Sequence, residues 1–230
     1  MPAIYESIAI ARNTDKAKRL QITRRLTTPH RQRFRIARPQ DFYYTRHSEK
    51  LLGLYGKNIG RKCCVRGNMK EVIDVQTGQV KAGAGRVILR SIALGSCVAV
   101  IIVDPARQQA AMAHVMLPGK ASPRVTADDR TKYAADAIDA AIEMMNNMGS
   151  QTADCCAAAV GGANVLRRPG DTIARDNVDF NLSFLHDKRL HVVARAVGGF
   201  ERRNVCIDVE DGIITYAEGD GHFKELWRPE

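Results

Sequence analysis

The 230-residue chain has no run approaching the roughly 18 uninterrupted apolar residues of a membrane-spanning helix, which excludes an integral helical membrane protein. A secretory leader is missing too, because Glu6 and Arg12 bracket an apolar stretch too short to serve as one. Neither Cys-x-x-Cys nor His-x-x-x-His occurs, so a structural zinc site has no support. The paired glycines Gly161-Gly162 and Gly198-Gly199 are not followed by the residues of a phosphate-binding loop, and no internal repeat is present. These absences leave a soluble, cytoplasmic protein as the expectation.

What is present divides unevenly. Residues 1–70 hold 17 Lys/Arg against 4 Asp/Glu, whereas residues 71–230 hold 18 against 21, so the net charge of +10 comes from the first third. Residues 1–70 read as a basic, partly disordered N-terminal extension, because Arg, His, Gln, Thr and Pro follow one another without a sustained period. A solvated tail and an electrostatic arm for an anionic surface both fit, but no nucleic-acid-binding signature accompanies it. Residues 71–230, with a hydrophobic content that supports a core, read as the folded domain. Six cysteines, as two adjacent pairs and two singletons, do not match a secreted disulfide scaffold and read as reduced thiols.

Within the folded part, strands outnumber helices, so the expected class is mixed α+β. Residues 72–80 form a strand and turn, and residues 87–94 a β-branched strand broken by Gly95-Ser96. Residues 98–103 are a continuous apolar run, the mark of a strand covered on both faces. Residues 111–117 make the next strand. Ala134, Ile138, Ala141, Met145 and Met148 share one face of a helix that Gly149 terminates. Residues 155–160 form a strand, and residues 172–185 a second helix with Ile173, Val178, Leu182 and Leu185 along one side. A strand over 191–197 and a hairpin over 205–216 complete the pattern.

Cys97 follows Gly95-Ser96 at the junction of two strands, where backbone N–H groups of Gly95, Ser96 and Cys97 can form an oxyanion site. A buried Cys is also simply a small hydrophobe. His114, alone among apolar residues in Ala111-Met112-Ala113-His114-Val115, tips the balance. A tight turn at Asp104-Pro105-Ala106-Arg107, with Pro second, predicts that Cys97 and His114 stand directly opposite on adjacent strands. An imidazole beside a thiol makes a nucleophile, and Ser91, six residues before Cys97, could orient the ring. An exposed strand serine is the alternative for Ser91. Cys155, Cys156 and Cys206 read as packing, and Cys63-Cys64 as an incidental exposed pair.

Leu94-Gly95-Ser96-Cys97-Val98-Ala99-Val100 and Ala111-Met112-Ala113-His114-Val115-Met116-Leu117-Pro118, at a spacing of 17 residues from Cys to His, resemble the CheD family. Echoes continue at Lys132-Tyr133-Ala134, Val160-Gly161-Gly162-Ala163, Ile173 with Asn177-Val178, and Gly198-Gly199 with Arg203 and Val205. The resemblance covers roughly residues 71–220. It implies a β-sandwich core flanked by helices, similar to the fold of the cytotoxic necrotising factors. It further implies hydrolysis of glutamine side-chain amides on methyl-accepting chemotaxis receptors, without metal or organic cofactor. Cys97 would be the nucleophile, His114 the acid–base residue, and Ser91 would stand where the family carries Thr. Ala196 departs from an acidic residue that relatives often carry. A CheC-type phosphatase is an implied partner. A regulatory binding protein with little turnover and a receptor methyl-ester hydrolase are the other readings.

Overall fold

The structure, a computed structural model, describes residues 70–230; the basic extension, apart from Lys70, and its Cys63-Cys64 pair lie outside the described residues. Ten strands and two α-helices follow in chain order: β1 (Glu71–Asp74), β2 (Val80–Ala84), β3 (Val87–Leu94), β4 (Val98–Asp104), β5 (Gln109–Val115), α1 (Ala134–Asn147), β6 (Cys156–Gly161), α2 (Ile173–Asp187), β7 (His191–Val197), β8 (Arg203–Asp208), β9 (Ile213–Glu218) and β10 (Lys224–Trp227). They form two five-stranded sheets, ordered β1-β3-β8-β9-β10 and β2-β5-β4-β6-β7. The class is mixed α and β, as the strand-rich pattern implies.

The layers follow from which strand faces are apolar. Every residue of β4 is buried, since this central strand packs on both sides. Its Ala99, Ile101 and Val103 meet Leu89 of β3 and Val205 and Ile207 of β8, closing one core between the sheets. Its Val98, Val100 and Ile102 meet Ile138 and Met145 of α1 and Leu185 of α2, closing a second core. Both helices thus cover one face of one sheet. No described helix is long and apolar enough to cross a membrane.

α1 has the expected buried face, and Gly149 past its end takes φ +97°, a conformation Gly adopts without a Cβ penalty. α2 keeps only part of its expected stripe: Leu185 is buried and Val178 and Leu182 pack partly buried against the core, but the other fully buried residues are Ala174, Asn177 and Asn181, and Ile173 is not among them. Two asparagines sit where the apolar period puts polar side chains outside, because both amides find backbone carbonyls. β10 pairs with β9 through only four residues of mixed polarity, which gave no strand signal.

The β4–β5 connection corrects the register expected for Cys97 and His114. The turn is Pro105 to Gln108, with Gln108 N–H donating to the Pro105 carbonyl at 3.2 Å, so Pro is first and not second. Asp104, fully buried, accepts from the Arg107 backbone N–H at 3.1 Å and from its guanidinium at 2.9 Å, which holds the longer loop. The strands consequently slide by two residues. His114 faces Ala99, and Val98 faces Val115. An even shift preserves the face, so the His114 side chain stays toward the inter-sheet layer.

Candidate active site

The site is assembled where the end of β3, the corner before β4 and the end of β5 converge. Ser91 reaches the layer between the sheets because β3 keeps inward alternation through Leu89 and Ser91, then bulges. The register steps between Ser91 and Leu94, with Ala93 at φ +57° and its N–H held by Asn204 Oδ1 at 2.8 Å. One inserted residue turns the strand so that Leu94 is again inward and the next residues leave toward the corner.

Ser91 is 1% exposed, which overturns the exposed-serine alternative. Its hydroxyl lies 2.9 Å from His114 Nδ1 and donates to the Val75 carbonyl at 3.0 Å. A hydroxyl has a single proton, so with that proton on Val75 the Ser91 oxygen must accept from Nδ1–H. The neutral ring is thereby fixed with its proton on Nδ1 and a lone pair on Nε2. The Nε2 side carries Thr77 Oγ1 at 3.4 Å, a neighbour the sequence pattern did not single out. Among the described residues the ring's hydrogen-bond partners are Ser91, Val75 and Thr77, and Cys97 is not one of them. Ser91→Ala is expected to lower kcat about 10- to 100-fold by loosening the ring. Ser91→Thr should keep the rate, because it retains the hydroxyl; steady-state kinetics of both variants checks this.

The corner residues 95–97 are held by their carbonyls. Gly95 O accepts from Ala163 N–H at 2.8 Å, Ser96 O from Asn177 Nδ2 at 2.8 Å, and Cys97 O from Gly162 N–H at 2.7 Å. No N–H of Gly95, Ser96 or Cys97 donates to another described residue in this loop. In trans peptides a pinned carbonyl turns the following N–H the opposite way, so the carbonyls of Gly95 and Ser96 set the direction of the Ser96 and Cys97 N–H groups. Gly161 and Gly162 are needed for the approach. A Cβ on Gly161 would lie 2.3 Å from the Cys97 carbonyl oxygen, and one on Gly162 would lie 2.1 Å from Val178 Cγ2. Arg203, buried, donates to the carbonyls of Gly161 and Gly198 and pairs with Glu218, tying the two Gly-Gly turns together.

Cys97 is half-buried, and burial pushes its thiol above the ordinary value of 9.0 despite the opposing pull of its own backbone N–H. Burial likewise pushes His114 below 6.5, partly offset by the Val75 carbonyl. Both shifts favour the thiol and the neutral imidazole over a preformed ion pair. Cys155 and Cys156 are pushed up to about 11, again mainly by burial, which makes them inert packing thiols, and Cys206 is buried within β8. Beside the corner, a cavity of about 240 Å³ is lined by Gly95, Ser96, Ala163, Val165 and Leu166. Exposed Leu166 and Phe200 rise nearby in sequence and across an adjoining depression, with the Arg167 guanidinium 5.3 Å over the Phe200 ring.

The structure thus gathers a half-buried thiol, an imidazole held by a buried hydroxyl, and a corner with three pinned carbonyls in one region. Comparison with known proteins identifies the family. The family model described as CheD chemotactic sensory transduction matches residues 116–218. The chain is 37% identical over 156 residues to a protein of Chlorobium luteolum named probable chemoreceptor glutamine deamidase CheD, covering 67% of this chain and 77% of that one. It is 33% identical over 159 residues to the chemoreceptor glutamine deamidase CheD of Thermotoga maritima, covering 69% and 98%. A relative in Archaeoglobus fulgidus, named probable chemoreceptor glutamine deamidase CheD, is 31% identical over 166 residues. The chain belongs to the CheD family.

Proposed function

We propose that the chain is a protein-glutamine deamidase that acts in the cytoplasm on methyl-accepting chemotaxis receptors, converting particular glutamines to glutamates. The observation that carries the reading is the Ser91–His114 pair beside the carbonyl-pinned corner of Cys97, in a chain whose relatives are named chemoreceptor glutamine deamidases. The two-sheet sandwich with its nucleophile at a strand corner also fits the cytotoxic necrotising factor type of cysteine hydrolase.

The reaction has two halves. His114 Nε2 takes the proton of the Cys97 thiol as sulfur bonds to the glutamine carboxamide carbon, and the C=O electron pair moves onto oxygen. The N–H groups of residues 95–97 receive that oxyanion. As the carbonyl re-forms, the C–N bond breaks, and the imidazolium proton goes to the departing nitrogen to give ammonia and a thioester. His114 then takes a proton from water, hydroxide adds to the thioester carbon, and the C–S bond breaks. The thiolate recovers its proton from His114, and the released glutamic acid side chain gives its proton to bulk water, leaving glutamate. The new carboxylate adds a negative charge to the receptor helix, so the product differs electrostatically from the substrate.

Intact mass of a cytoplasmic receptor fragment tests this. Incubation with the wild-type chain should add the NH₂-to-OH mass difference at discrete sites, and Cys97→Ala should add nothing. Conversion that persists with Cys97→Ala would refute the mechanism. The implied CheC-type phosphatase partner gives a second arm: binding of such a partner without any mass change would favour a regulatory binding protein.

A further inference from the structure

The geometry points to Asn177 of α2 as a positioning residue that sets the nucleophile corner against the strand carrying His114, through one side-chain amide bonded to both Ser96 O and Met116 O. The inference rests on the proposed role of Cys97.

Asn177 is 0% exposed. Its Nδ2 donates to Ser96 O at 2.8 Å and to Met116 O at 3.0 Å. Ser96 directly precedes Cys97, and Met116 is the first residue after β5, two beyond His114. The two halves of the site therefore hang on a single NH₂ group. Its orientation is dictated by chemistry, because both neighbours are acceptors and only the nitrogen can face them. The remaining oxygen, Oδ1, is buried without a hydrogen-bond partner among the described residues. A buried acceptor left bare is unfavourable, so this amide is not there to satisfy itself. Its two donors are what the position supplies.

The corner shows why a side chain is used. Of the three pinned carbonyls, those of Gly95 and Cys97 are held by backbone N–H groups of Ala163 and Gly162. The middle peptide, joining Ser96 to Cys97, is held by Asn177 alone among the described residues. That plane carries the Cys97 N–H at its other end. Fixing Ser96 O therefore aims the Cys97 N–H toward its own sulfur and toward a carbonyl oxygen attacked there. Loss of the Asn177 amide frees this plane and releases Met116 O, while Gly95 O and Cys97 O keep their backbone donors.

Asn181 provides an internal control. It lies one turn further along the same buried face, is also 0% exposed, and has the same orphaned Oδ1. Its Nδ2 donates to the Asn177 carbonyl at 2.7 Å and not to the site. Asn177→Ala and Asn181→Ala should lower the thermal midpoint by similar amounts.

The experiment measures both full-length variants for kcat and KM on a receptor cytoplasmic fragment, and for iodoacetamide alkylation of Cys97 across pH. Asn177→Ala should lower kcat about 100-fold, the size of losing an oriented oxyanion donor, with KM nearly unchanged. Its alkylation midpoint should move to higher pH as the thiolate loses the Cys97 N–H. Asn181→Ala should leave kcat and the alkylation midpoint at wild-type values. Equal losses in the two variants, or an Asn177→Ala enzyme with wild-type kcat and alkylation, would overturn the assignment. Alkylation needs no receptor, so failure of the deamidase reading would show as an inactive wild type while this arm still decides the role of Asn177. Where Asn177→Ala does not fold, Asn177→Asp keeps the shape, replaces the donors, and answers to the same readouts.

Discussion

His114→Gln is expected to reduce deamidation about a thousandfold with little change in KM, because in the proposed mechanism one group serves as base toward Cys97, acid toward ammonia and base toward water. The pH profile of the wild type carries the more specific result. With His114 below 6.5 and Cys97 above 9.0, both through burial, the reactive form is the neutral pair. As pH falls through the His114 value the ring gains a proton and can no longer accept one from the thiol. As pH rises through the Cys97 value the thiolate forms beside a neutral ring that has no proton for the leaving ammonia. The plot of kcat/KM should be a broad plateau with its acid limb below pH 6.5 and its alkaline limb above pH 9.0. An alkaline limb well below 9.0 would instead indicate a preformed thiolate–imidazolium pair. Burial of the ring by Ser91 and the two sheets is the physical cause of the expected order.

Gly161→Ala should be the most damaging single methyl group outside the three side chains of the site. The added Cβ would meet the Cys97 carbonyl oxygen at 2.3 Å, and the backbone there has φ +120°, which an L side chain rarely adopts. Overpacking and strain together should cost roughly 2–4 kcal/mol of stability. The larger effect is on the reaction. The carbonyl must retreat, its bond from Gly162 N–H breaks, and the peptide planes of the corner rotate, so a loss of activity of about 100-fold or more is expected. Gly85→Ala isolates the two contributions, since Gly85 has φ +64° with nothing within 4 Å of an added Cβ. It should cost about 1 kcal/mol with wild-type activity. Chemical denaturation and kinetics on the two variants check both statements, and parallel losses of activity would contradict the role given to Gly161.

The strands nearest the chemistry were legible because their signals are local. The apolar run of β4, the Gly-Ser break before Cys97 and the lone histidine of β5 are all visible over a few residues. The six-residue step from Ser91 to Cys97 also pointed to a side chain that the structure places 2.9 Å from His114 Nδ1. What was not legible depends on geometry between elements. The two-residue slide of β5 follows from Asp104 holding Arg107 within the loop, a contact that a Pro-based turn rule does not contain. The buried face of α2 was legible only in part: Leu185 was placed, but Asn177 and Asn181 count as polar in any hydrophobic period, although the carbonyls they meet belong to distant segments and to the preceding turn. Thr77 and the Ala93 bulge were hidden for the same reason: neither is marked by composition.

The Ser91–His114 hydrogen bond joins a strand of one sheet to a strand of the other. The catalytic ring is therefore registered to a partner across the thickness of the inter-sheet core, not to a neighbour along its own sheet. Leu89, Ile101, Met112 and Ile207, none of which is part of the site, fix that thickness. A hydrogen bond weakens steeply within an ångström of stretch, so sideways creep of one sheet over the other would unhitch the imidazole long before either sheet came apart. Under the proposed mechanism, the orientation of the imidazole therefore depends on how squarely the two sheets are seated on their shared core.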